Sequence, residues 1–75
     1  MESVDLSRAF GEVLRKSREA AQLSQEALAH RAGLTRNYIS LLERGLNNPT
    51  LNTMANLARA MNQTLLQLIE DLPES

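Results

Sequence analysis

The 75-residue chain reads as one all-α domain of five short helices. Three observations predict this. Apolar residues recur at three- and four-residue spacing in five separate runs, and no run alternates with the period of two that a half-buried strand requires. A hydroxyl residue, Ser24, Thr35, Thr50 or Thr64, stands just before four of those runs, placed to accept from a free N–H in the first turn. Between the runs stand Gly33, Gly45, the cluster Asn47-Asn48-Pro49 and the pair Asn62-Gln63, with Pro73 after the last, all residues that stop helices or start turns.

Residues 1–5 are expected to form a loose arm. The first helix is predicted over about Leu6 to Ala21, with Leu6, Phe10, Val13 and Leu14 on its buried face. Gly11 inside it costs about 1 kcal/mol relative to Ala. Arg15, Lys16 and Arg18 lie on its other sides, a pattern that ordinarily solvates. The second helix runs about Gln25 to Ala32. Ser24 caps it, Leu28, Ala29 and Ala32 share a face, and Gly33 permits a left-handed stop. Leu34 is a linker residue suited to dropping into the core. The third helix runs about Arg36 to Arg44, capped by Thr35, with Ile39 and Leu42 as its apolar stripe and Gly45 at its end.

Pro49 pushes Asn48 out of helical geometry. Thr50 then caps a fourth helix carrying Leu51, Met54, Leu57, Ala58 and Met61 at helical spacing. The fifth is expected within residues 64–72, capped by Thr64. Leu65 and Leu68 face inward, and Leu66, Ile69 and Leu72 form a second row at i, i+3 and i+6. Two readings exist for that row: it completes a small core, or it is a self-complementary dimer patch. The dimer reading is preferred, because pairing also doubles the contacts that a weakly basic protomer can make with a polyanion.

There is no cysteine, so no disulfide or thiolate metal site is expected. His30 is the single histidine and has no ligand partners in the sequence, so no metal or other cofactor is expected. No nucleophile, acid–base or glycine-rich phosphate signature supports an enzyme. The acidic start lacks the apolar run of a signal peptide, and no segment approaches the ~20 apolar residues of a membrane span. A soluble, cytoplasmic protein is the expectation. The net charge is −1, but it is unevenly spread. Glu2, Asp5, Glu70, Asp71 and Glu74 lie at the ends, whereas residues 6 to 69 carry eight basic and four acidic side chains. That positive middle suits a polyanionic partner better than the total does.

Two helices joined by a Gly-containing corner are the helix-turn-helix signature, here over residues 24–44. Gln25, Leu28, Ala29, Gly33, Thr35, Ile39, Ser40 and the run Glu43-Arg44-Gly45 resemble the motif of the Cro/phage-repressor-type (XRE-like) helix-turn-helix family. Asn48-Pro49-Thr50-Leu51 is similar to that family's loop after the motif, and Leu57-Ala58-Arg59-Ala60-Met61 to its fourth helix. The resemblance implies a five-helix, lambda-repressor-like DNA-binding domain. It also implies a transcription regulator acting on double-stranded DNA as a homodimer at a two-fold operator, with no small-molecule ligand. In size the chain is closest to restriction–modification controller proteins. The runner-up is a protein-interaction module on the same fold, an antitoxin or adaptor.

A helix about 10–12 Å across fits the major groove. With Ile39 and Leu42 turned inward, the outward candidates for base contact are Thr35, Arg36, Asn37 and Ser40. Arg36 is the leading reader, because its donor fork can engage O6 and N7 of one guanine, worth about 1–3 kcal/mol of discrimination. Asn37 can pair with adenine or bond a phosphate, and Thr35 is also needed as a cap. Phosphate contacts are expected from Gln25, Tyr38, Arg44, Asn47 and Asn48. Of these, Gln25, Arg44, Asn47 and Asn48 are carried over from the family. The family also implies an ion pair between Arg18 and Glu43 that pins the first helix across the motif.

Overall fold

A computed structural model describes residues 5–73, so the expected arm falls outside it except for Asp5. Asp5 caps α1 (Leu6–Ala20) by accepting from the Arg8 N–H. Then follow α2 (Gln25–Ala32), α3 (Arg36–Glu43), α4 (Leu51–Ala60) and α5 (Leu65–Ile69), with no strand among the described residues. Ser24, Thr35, Thr50 and Thr64 each accept from the N–H three residues on, at 3.0–3.1 Å. At α5 the Gln67 side chain also accepts from the Thr64 N–H, closing a capping box.

The stops of α1 to α4 share one geometry. Gln22, Gly33, Gly45 and Asn62 all have positive φ, from 59° to 73°. In each case the next N–H reaches back to a carbonyl five residues earlier, as in Leu23 to Arg18 and Leu34 to Ala29. Gln22 and Asn62 therefore hold a conformation that non-glycine residues adopt at a cost. The Schellman hydrogen bonds at both, and the packing of Leu23 on the core after Gln22, offset it.

The helices close a ring in which α3 packs on α1, α1 on α5, α5 on α4, α4 on α2 and α2 on α3. Leu14, Leu28, Ile39, Leu42, Leu57 and Leu68 are completely enclosed at its centre, with Phe10, Val13, Ala29, Ala32, Ala58 and Met61 around them. Burying a leucine contributes about 1.5–3 kcal/mol, so this cluster supplies most of the favourable term. The Asn56 amide donates to the Ala32 carbonyl at 2.6 Å, satisfying the end of α2 from α4.

Four expectations need correction. Leu6 and Leu51 are 55% and 67% exposed, because each is the first residue of its helix and lies beyond the edge of the ring. The fifth helix covers five residues, not nine. It gives way to a turn in which the Leu72 N–H bonds the Ile69 carbonyl, and Leu72 folds back against the core. Gly11 is a requirement rather than a mild defect. It is buried, and a Cβ there would stand 2.5 Å from the Leu42 carbonyl oxygen and 2.7 Å from that of Glu43. Its bare backbone lets α1 touch the end of α3.

Candidate nucleic-acid interface

The orientation of α3 follows from its two sealed residues. Ile39 and Leu42 have no exposure, so the 100° step per residue turns the opposite side of the helix to solvent. Asn37 and Arg44 are exposed and Ser40 is half-buried along that side, Arg36 is exposed at its edge, and Thr35 is exposed at the tip as the residue before the helix. Tyr38 is half-buried at the flank with its ring against the core. The Thr35 oxygen accepts from the Tyr38 N–H as the cap, which leaves its hydroxyl proton able to donate.

The end of α3 is tied to α1 and α2 by a polar cluster. Arg18 donates from Nε to Glu43 Oε2 at 2.7 Å and from Nη2 to Oε1 at 3.1 Å. Its third donor, Nη1, meets the Leu23 carbonyl at 2.8 Å. Gln25 Nε2 donates to Glu43 Oε1 at 3.1 Å, so one carboxylate joins three helices. The pair is largely buried, with side-chain exposures of 12% and 6%. Hydrogen bonding to Glu43 raises the Arg18 pKa above the ordinary arginine value, against the opposing effect of burial. Gln25 uses one amide hydrogen here and retains another for an outside acceptor.

The remaining residues fall into three places. Gln25, Ser40 and Arg44 border one open polar hollow, together with Arg15, Arg18 and Glu43. Arg36 borders a second, at the corner of the motif, with Ser24, Glu26 and His30. Asn47 and Asn48 are exposed in the loop after α3, and the Ser7 hydroxyl donates to Asn48 Oδ1, tying that loop to α1. The sequence reading missed the position of Arg15 on the first hollow and the Ser7–Asn48 contact. For Arg15 a signal existed, since it stands three residues before Arg18 and so shares its side of the helix. For Ser7 none did, because 41 residues separate the two partners.

The helix-turn-helix family model matches residues 14–68, which takes in all of α2, α3 and α4 and the hollows between them. The chain belongs to this family. Within it, the chain is 39% identical to the control protein C.SmaI of Serratia marcescens over 66 residues, 88% of this chain and 79% of that one. The restriction–modification controller protein C.AhdI of Aeromonas hydrophila superposes with a TM-score of 0.78 at 41% identity, covering 81% of this chain and 92% of that one. The regulator y4dL of Sinorhizobium fredii is 45% identical over 49 residues; this chain spans only a quarter of its length. The motif, the fold and these relatives together make the chain a DNA-binding helix-turn-helix transcription regulator. No helix among the described residues is long and apolar enough to cross a membrane.

Proposed function

We propose that the chain works as a homodimeric regulator of the restriction–modification controller type, reading a two-fold operator with α3 in the major groove. The observation that carries this is the exposed N-terminal end of α3, with Thr35 at its tip, Arg36 at its side and Asn37 opposite the sealed Ile39 and Leu42. Thr35, Arg36, Asn37 and Ser40 face base edges. Gln25, Tyr38, Arg44, Asn47 and Asn48 hold the backbone on either side. Such contacts position the protein, whereas the base contacts specify the site.

A dimer fits the charge. One protomer has a net charge of −1, so pairing two reading heads is the economical way to gather enough phosphate contacts. Leu66, 64% exposed, and the half-buried Ile69 supply the proposed contact face, with Leu72 contributing only the part of its side chain that the core leaves uncovered. The two α3 helices would then lie about 34 Å apart, one turn of B-DNA. Similarity to C.SmaI and C.AhdI supports this reading, and a regulator of this kind acts in the cytoplasm, where the DNA is.

The test is a gel shift with DNA from upstream of the gene, followed by a panel of operator variants. Wild type is expected to give discrete retarded species. Arg36→Ala is expected to lose about 1–3 kcal/mol of discrimination at one base position. An equal loss on every sequence would make Arg36 a backbone contact. No shift at all, with a second protein co-purifying, would favour the interaction-module reading.

A further inference from the structure

We propose that Arg15, on α1 and outside the helix-turn-helix, is a phosphate ligand that carries the DNA footprint onto the first helix. This rests on the function proposed above.

The placement comes from one stripe of α1. Arg8, Gly11, Arg15 and Arg18 follow at i, i+3, i+7 and i+10, which keeps them on a single side of a helix. Three of the four touch the C-terminal end of α3. The Arg8 backbone lies against Gly45, where a Cβ would approach its Cα to 2.9 Å. Gly11 lies against the Leu42 and Glu43 carbonyls. Arg18 grips the Glu43 carboxylate. Arg15 stands between Gly11 and Arg18 in that row and must run along the same edge, which is where it borders the polar hollow. The two glycines set the separation of the helices, so the Arg15 stem starts from a fixed point.

The charge in the hollow points to an anion. Its one carboxylate, Glu43, is occupied by both arms of Arg18 and by Gln25. Two guanidinium groups remain, on Arg15 and Arg44, and neither has a tight partner among the described residues. Arg15 Nε stands 3.4 Å from Glu19 Oε2, and Arg44 Nε stands 3.4 Å from the Ser40 carbonyl. The Arg15–Glu19 pair is exposed on both sides, at 65% and 56%, and such pairs hold weakly. A phosphodiester offers the arginine fork a charged, bidentate acceptor that outcompetes it. The site therefore takes a backbone phosphate between α1 and α3, with Arg15 leaving Glu19 on binding.

The experiment measures the salt dependence of operator affinity for wild type, Arg15→Gln, Arg15→Lys and Arg59→Gln. Arg59 is an exposed control on α4 away from the hollow. Arg15→Gln is expected to weaken every operator variant equally and to make the log–log salt slope shallower by about 0.9 per protomer. Its unfolding curve should match wild type. Arg15→Lys should recover most of the slope, and Arg59→Gln should leave it unchanged. Glu19→Gln should raise affinity in the wild-type background but not beside Arg15→Gln. An unchanged slope in Arg15→Gln, or an equal change in Arg59→Gln, overturns the assignment. If wild type itself fails to bind any operator, the regulator reading fails instead.

Discussion

Replacing Arg18 by alanine is expected to remove a large share of the folding free energy. The change deletes two donors from the Glu43 carboxylate and one from the Leu23 carbonyl. Glu43, 6% exposed in its side chain, keeps only the Gln25 amide. Breaking a buried pair from one side costs about 3–5 kcal/mol, because the surviving charge stays desolvated. The lower end applies here, since Gln25 remains and the adjacent hollow admits water once the guanidinium is gone. Against a total of about 4–11 kcal/mol for a chain of 75 residues, a loss of about 3 kcal/mol is severe. Urea unfolding is the assay. With a slope near the low end of about 1–3 kcal/mol per molar, the midpoint should fall by about 2–3 M.

The double variant Arg18→Met with Glu43→Leu removes both charges and should lose far less than the two single changes combined. The pH dependence has a definite sign. Because the folded state raises the Arg18 pKa, its contribution is fully present below the ordinary arginine value and is lost only in strong base. Between about pH 6 and 9, Arg18 itself should therefore add no slope. An Arg18→Ala curve that overlays wild type, or single effects that simply add, would refute the reasoning.

Two further outcomes follow from packing. Gly11→Ala should lower the melting temperature, reflecting an overpacking cost of about 1–3 kcal/mol, although helix propensity alone favours alanine by about 1 kcal/mol. An unchanged or raised melting temperature would show that α1 does not touch α3 as described. Leu66→Glu should shift sedimentation from dimer to monomer and weaken operator binding while leaving the unfolding of the protomer nearly unchanged. A dimer that survives at micromolar concentration would place the interface elsewhere.

The helices were legible from local chemistry. Ser24, Thr35, Thr50 and Thr64 each act as the cap that their position ahead of an apolar run suggests, and α2 has the predicted bounds. Gly33 is left-handed as expected, but Gln22 reaches the same conformation with no glycine to signal it. The outward side of α3 was readable for Asn37, since Ile39 and Leu42 orient an eight-residue helix, whereas Thr35 is exposed because it precedes the helix and not because of that orientation. The two leucines that begin α1 and α4 misled the reading. Periodicity gives a residue's side of its helix, but not whether that helix still has a neighbour at that level.

Local pattern alone thus decided the all-α class, the five helices and the side of α3 that meets solvent, because capping and 3.6-residue spacing act within a few residues. Tertiary packing decided the rest. Only the ring of helices brings Gly11 onto the Glu43 carbonyl, Gln25 onto the Glu43 carboxylate and Arg15 onto the rim it shares with Arg44. Those partners are 18 to 32 residues apart in the chain, and no short-range rule reports a distance that depends on how closely two backbones are allowed to approach.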